Sequence, residues 1–217
     1  GRCPAEHQGG AVTPGGDLAL IDAGGANLGS VRYALERLGA RPRLVRDADA
    51  LGTPTRILLP GVGAAAPSMQ LLRERGLADA LRASTVPLLG VCVGMQLLFE
   101  SSAEGEVACL GLLPGRVERI VGGPGLRVPH MGWNTLQRCA ASPLLAGIDE
   151  GAYAYFVHSF AVPVTPATAP VVLAETAHGA PFAAVVGQGH RFGAQFHPER
   201  SSAVGLRLLQ NFLDLPA

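Results

Sequence analysis

From Leu18 onward the sequence alternates short apolar runs with stretches of helical period, and that alternation restricts the chain to a mainly parallel sheet flanked by helices. Strands read at residues 18–22, ending in the Gly24-Gly25 turn, at 43–46, at 56–59, stopped by Pro60-Gly61, and at 87–91. Between them Leu28, Val31, Leu35 and Leu38 recur at helical spacing. A helix reads over 69–83 with Leu72, Leu77 and Leu81, and another over 94–100, fed directly by the strand before it. Beyond Gly105 the character changes: 116–121, 153–160, 171–176, 182–187 and 192–196 read as strands separated by turn residues. A last helix carries Leu206, Leu209, Phe212 and Leu213, capped by Ser201 or Ser202. The softest stretches, 101–106, 122–125 and 163–170, read as surface loops. With no repeat and no linker, the expectation is one α/β domain over 18–217 with a mixed, mainly parallel central sheet. Residues 1–17 are rich in Gly and Pro, lack the apolar core of a signal peptide, and read as a flexible tail.

The 217 residues suit one large domain with a sizeable core. The basic residues are seventeen arginines and no lysine, which excludes Schiff-base and P-loop lysine chemistry together. Their number equals that of the acidic residues, so no basic surplus exists to neutralise a nucleic acid. The longest apolar run, 86–99, is short for a membrane span and is interrupted by Pro87, Gly90, Gly94 and Gln96. Cys3, Cys92, Cys109 and Cys139 form no CxxC pair, so neither a disulfide framework nor a zinc site is expected, and a reducing, cytoplasmic setting fits.

The chemistry concentrates in three segments. Gly90-Val91-Cys92-Val93-Gly94 sits at a strand-to-helix junction and reads as a nucleophile elbow with sulfur in place of oxygen. The turn needs small flanking residues, projects the side chain into a cleft and sets the thiol at a helix N-terminus that favours thiolate. Taken alone, such a pattern describes an inert core cysteine more often than a nucleophile. Gln195-Phe196-His197-Pro198-Glu199, at the end of another strand, changes that balance. A cysteine nucleophile needs a base and the base needs an orienting acceptor; in an extended backbone His197 and Glu199 project to one side, with Glu199 fixing the tautomer and His197 facing Cys92. Pro60-Gly61-Val62-Gly63, a glycine-bracketed turn after a parallel strand, exposes backbone N–H groups that with Val93 N–H could form an oxyanion hole, each donor worth about 3 to 4 kcal/mol.

These segments, with Met95-Gln96-Leu97-Leu98-Phe99-Glu100, Val128-Pro129-His130-Met131-Gly132-Trp133-Asn134 and Tyr155-Phe156-Val157-His158-Ser159-Phe160, resemble the class I glutamine amidotransferases over residues 18–215. The last two narrow the resemblance to the glutaminase subunits of imidazole glycerol phosphate synthases. The resemblance implies that Cys92 attacks the side-chain amide of glutamine, His197 passes the proton to ammonia and Glu199 holds His197, through a thioester. It implies a glutamine site at Gln96, Gly61 to Gly63, Ser159 and Phe160, with Glu104 for the α-amino group and no cofactor. It also implies a (β/α)8 barrel cyclase subunit as partner, with Asn27, His130, Trp133 and Arg200 at the interface or ammonia channel; beside Pro129 and Gly132, His130 and Trp133 suit an irregular loop.

Three positions depart from the family pattern. Ala26 stands where a glycine is usual, Phe160 where tyrosine is common, and Arg200 where lysine is usual. His7, His178 and His190 read as solvated, without metal-like spacing. Three other readings accompany the leading one: a class I glutaminase serving an anthranilate, pyridoxal phosphate or purine synthase, a stand-alone cysteine hydrolase or peptidase, and a catalytically silent interaction module, which the presence of Cys92, His197 and Glu199 together disfavours.

Overall fold

A computed structural model of the chain describes residues 16–24 and 28–216. The first half is β1 (Leu18–Ile21), α1 (Leu28–Arg37), β2 (Arg43–Val45), α2 (Ala48–Leu51), β3 (Arg56–Gly61), α3 (Ala65–Glu74), α4 (Leu77–Ala83), β4 (Leu88–Cys92) and α5 (Val93–Gln96). The second is strand-rich: β5 (Ser101–Ser102), β6 (Val107–Ala108), β7 (Arg116–Arg119), β8 (His130–Thr135), β9 (Gln137–Arg138), β10 (Tyr153–His158), β11 (Phe160–Ala161), β12 (Val172–His178), β13 (Ala180–Gln188), β14 (Arg191–Ala194) and α6 (Ser202–Asp214).

Eight strands form the central sheet in the order β2-β1-β3-β4-β14-β13-β12-β9. The pairings from β2 through β14 are parallel, and the rest are antiparallel, giving the mixed sheet the alternation predicts. Every residue of β1, β3, β4 and β14 is buried, because strands covered on both faces need continuous apolar sequence. An antiparallel pair of β8 and β10 and a small sheet in the order β11-β7-β5-β6 are set beside it.

Several elements depart from the sequence expectation. The helix read over 69–83 is two helices, α3 and α4, separated at Gly76, whose φ of 68° is left-handed and open to glycine without strain. The helix read over 94–100 closes after one turn. The carbonyls of Leu97, Leu98 and Phe99 accept instead from the backbone of residues 110–113, so tertiary pairing replaces the next helical turn. The strand read over 153–160 divides at Ser159 into β10 and β11, which pair with different partners. Residues 130–135, read as an irregular loop, are strand β8, held by full antiparallel register with β10 from Tyr153↔Thr135 to His158↔His130. Residues 1–15 lie outside the description; Asp17, grouped with the tail on composition, ion-pairs with Arg43 at 2.9 Å and its carbonyl accepts from Thr55 N–H at 2.9 Å.

The backbone packs very closely beneath Cys92. A Cβ on Gly94 would lie 1.8 Å from the Leu59 carbonyl oxygen of β3, a backbone atom that cannot move aside without breaking the sheet. Gly94→Ala is therefore expected to destabilise the fold by about 3 kcal/mol, at the upper end for overpacked cores, read as a lower urea midpoint; an unchanged midpoint would show that the elbow has slack.

Candidate functional site

Cys92 closes β4 with φ 54° and ψ −114°, a conformation rare for any residue but glycine. Such geometry costs about 1–3 kcal/mol and persists only where the surroundings enforce it. Here β4 is clamped between β3, which places Gly61 opposite Cys92, and β14, which places Ala194 opposite Val91. The chain leaving β14 thus delivers Gln195, Phe196 and His197 to the same carboxyl edge of the sheet.

His197 is fixed through its backbone. Its N–H donates to the Tyr155 carbonyl at 3.0 Å, and its carbonyl accepts from the Ser201 hydroxyl at 2.7 Å, which itself accepts from Tyr155 N–H at 2.9 Å. Ser201, expected as the cap of the last helix, makes no capping bond and serves this clamp instead. His197 Nδ1 meets Glu199 Oε1 at 2.9 Å. The contact is made by a 3₁₀ turn over Pro198–Arg200, not by an extended backbone, so the residues are adjacent for a different reason than alternation. Burial opposes charge on His197, but hydrogen bonds and charge from Cys92 and Glu199 together outweigh it and hold the imidazole well above its ordinary range. Both neighbours of the imidazole, Cys92 and Glu199, thus favour its charged form. Cys109 shows the contrast: burial, opposed by Arg73, pushes its thiol up to about 11, as expected of an inert core cysteine.

A cavity of about 450 Å³ opens over Cys92 and His197. It gathers Val62, Gly63, Val93, Gln96, Glu104, Ser159, Phe160 and Arg200 from five separate segments of the sequence, and adds Ser30, Val157 and His158, which were not expected there. Gly61 lies beside it, in a narrow crevice that also reaches His197. Glu104 accepts from Ala65 N–H at 2.8 Å, capping α3 where Ala64 has no side chain to do so. Gln96 is 2% exposed; its Nε2 donates to the Phe160 carbonyl at 2.8 Å and to Gln195 Oε1 at 2.9 Å, while its Oε1 is buried and unpartnered.

The Phe160 carbonyl also receives His158 Nδ1 at 2.8 Å. A carbonyl only accepts, so that nitrogen carries a proton; at the far end Asn134 Nδ2 is a donor, since it also meets the Ala177 carbonyl at 2.9 Å, so His130 Nε2 is unprotonated, His130 Nδ1 holds that ring's proton and His158 Nε2 is an acceptor. It faces His130 Nδ1 at 3.2 Å, which must donate, leaving His130 Nε2 to accept from Asn134 Nδ2 at 3.3 Å. Both rings are therefore neutral. Burial drives His158 down to about 3, against the Phe160 carbonyl that favours its charge, and drives His130 down to about 4, aided by His178. His130 is thus a buried member of β8 stacked between Phe156 and His178, and not a surface loop residue. Trp133 on the same strand is 51% exposed and meets Tyr155 edge-on. Arg200 lays its planar guanidinium over Tyr155 at 5.3 Å, a contact that suits arginine better than lysine. His178 and His190, read as solvated, bond the carbonyls of Arg127 and Ser84. Ala26 and Asn27 lie outside the described residues. Among those described, no three His, Cys, Asp or Glu side chains are grouped as metal ligands, and no helix is long and apolar enough to cross a membrane.

The glutamine amidotransferase class-I family matches residues 19–215. The imidazole glycerol phosphate synthase subunit HisH of Xylella fastidiosa (strain Temecula1) is 60% identical over 201 residues, 93% of this chain and 98% of its own. The protein of the same name from Xanthomonas euvesicatoria is 60% identical over 199 residues, 92% of this chain and 98% of its own. A crystal structure of a glutamine amidotransferase shares the fold with a TM-score of 0.72 at 24% identity, covering 92% of this chain and 98% of that one. PurLQS from Thermotoga maritima does so at 0.66 and 20%, covering 91% and 98%.

The two neutral histidines make stability acid-sensitive. Their pKa values are lowered by folding, so between pH 6.5 and about 4 the unfolded chain binds protons that the folded chain refuses, and stability is lost as pH falls through that window. The expected slope is about 1.4 kcal/mol per pH unit for each histidine. Urea midpoints measured against pH should show it, and His130→Phe should remove one histidine's share.

Proposed function

The chain belongs to the class-I glutamine amidotransferases, and on that premise we propose that it is the glutaminase subunit of an imidazole glycerol phosphate synthase, releasing ammonia from glutamine for histidine biosynthesis in the cytoplasm. Its partner is a (β/α)8 barrel cyclase subunit that consumes the ammonia. The observation that carries the reading is that Cys92 and His197 line one cavity at the carboxyl edge of the sheet, with Glu199 bonded to His197 behind it.

In the proposed reaction the Cys92 thiolate attacks Cδ of the glutamine side chain. The C=O electron pair moves onto oxygen, where backbone N–H groups from Val93 and the Gly61 to Gly63 turn stabilise it. Collapse of the tetrahedral intermediate breaks the C–N bond as His197 gives its proton to the departing nitrogen, releasing ammonia and leaving a thioester. His197 then accepts a proton from water as it attacks the thioester; collapse regenerates the thiolate and releases glutamate. Glu199 keeps the imidazole oriented and stabilises its charged form throughout. Gln96 and Glu104 offer oxygen acceptors to the substrate α-ammonium, and Ser159 and Phe160 line its backbone side. The exposed face of β8 and β10, with Trp133 and Arg200 over Tyr155, fits a docking surface for the cyclase, and Asn27 is assigned to the same interface.

Cys92→Ala in the assembled synthase is expected to abolish glutamine-dependent synthesis and to leave synthesis from added ammonium salts intact; retained glutamine turnover would remove Cys92 from the nucleophile's role. Glu199→Gln is expected to lower kcat by about 10²-fold or more with little change in KM. Glutamate release under single-turnover conditions measures it. Copurification with a different synthase partner would reassign the pathway while leaving the glutaminase chemistry in place.

A further inference from the structure

Gln195 lies next to the nucleophile, fully buried, with no part in the mechanism above. Its side chain bridges two groups that the mechanism uses: Nε2 is 3.7 Å from Cys92 Sγ, and Oε1 accepts from Gln96 Nε2 at 2.9 Å. The direction of both bonds follows from a backbone atom. The Phe160 carbonyl can only accept, so the end of Gln96 facing it, at 2.8 Å, must be the amide nitrogen. That nitrogen's second proton then points at Gln195, whose facing end must be oxygen. Nothing is left for the sulfur but the Gln195 NH₂ group. With both protons of Gln96 Nε2 committed, the amide's unused group is Oε1, an acceptor buried without a protein partner beneath the cavity that Gln96 lines.

We propose that Gln195 is a positioning residue with two separable tasks: its amide nitrogen holds and stabilises the Cys92 thiolate on the side away from Glu199, and its amide oxygen fixes Gln96 so that only an acceptor faces the substrate. Charged sulfur gains more from an N–H donor than neutral sulfur does, so the contact favours the reactive form. A carboxamide is the side chain that supplies a donor and an acceptor from one terminus within this space. The backbone supports the placement: Gln195 N–H donates to the Ala184 carbonyl of β13 at 2.9 Å, extending the β14 ladder to the residue beside Cys92. The inference rests on Cys92 being the nucleophile of the glutaminase reaction.

Two substitutions separate the tasks. Gln195→Glu keeps an acceptor for Gln96 and removes the donor at sulfur, replacing it with negative charge. Gln195→Met, of similar length, removes both. The readouts are the second-order rate of iodoacetamide alkylation at Cys92, followed by mass spectrometry of its peptide so that Cys139 does not interfere, and KM and kcat for glutamine in the assembled synthase. Gln195→Glu is expected to slow alkylation at least tenfold and to lower kcat similarly, with KM within about threefold of wild type. Gln195→Met is expected to slow alkylation by a smaller factor and to raise KM about tenfold as Gln96 loses its orientation. Thermal melting separates misfolding from these effects, and Gln195→Asn, which keeps the carboxamide but shortens its reach, replaces the methionine variant should that one not fold. Alkylation and KM within twofold of wild type in the folded variants would overturn the proposal. Loss of both readouts in equal measure across the variants would reduce Gln195 to a packing role, which also overturns it. A Cys92→Ala synthase that still used glutamine would instead overturn the functional reading beneath it.

Discussion

The parallel pairing of β4 between β3 and β14 is the constraint on which the site depends. It holds Cys92 in a backbone conformation that side-chain-bearing residues avoid, sets the Gly61 turn opposite it, and carries Gln195 and His197 to its other flank. Because strand pairing is a ladder of many backbone hydrogen bonds, the strain of one residue is distributed over an element that cannot relax locally. Glycine at position 94 is the steric condition for this, since the turn of α5 presses directly onto the Leu59 carbonyl.

A second constraint works through polarity. The Phe160 carbonyl, at the start of β11, is met from one side by Gln96 and from the other by His158, and as an obligate acceptor it dictates the orientation of both. One direction of that network ends at Cys92 through Gln195; the other ends at Asn134 on β8, through two imidazoles that burial keeps neutral. The surroundings of Cys92 and the β8–β10 pair that carries Trp133 are therefore parts of one hydrogen-bonded unit. His197 is the exception among the buried histidines: the groups it faces are a thiol and a carboxylate, and these favour its charge where burial alone would remove it.

Much of this was legible in the sequence where the local signal was strong. The parallel half of the sheet reads from unbroken apolar runs, and the elbow reads from glycines bracketing Cys92 at the end of one. Other features were hidden by competing signals. β8 contains Gly132 next to a Pro-rich entry, which resembles a loop until its register with β10 supplies the hydrogen bonds. The periodicity of 69–83 is continuous across Gly76 although the helix is not. Ser201 carries the composition of a cap, yet its hydroxyl is claimed by the His197 carbonyl. The neighbours Gln195 and His158 stood within recognisable motifs, but nothing in their spacing showed that one faces sulfur and the other a carbonyl.

The sequence by itself determined the fold class and singled out Cys92, His197 and Glu199 as candidates for nucleophile, base and orienting acid, because each rests on residue type and on position relative to a strand end. Only the tertiary structure decided the adjacency of His197 and Glu199 through a 3₁₀ turn, the neutrality of His130 and His158, and the direction of every amide around Cys92. The physical reason is the same in each case. Burial, charge state and hydrogen-bond direction are properties of what surrounds a side chain, and here the surroundings come from strands that are distant in sequence and become neighbours only when the sheet is assembled.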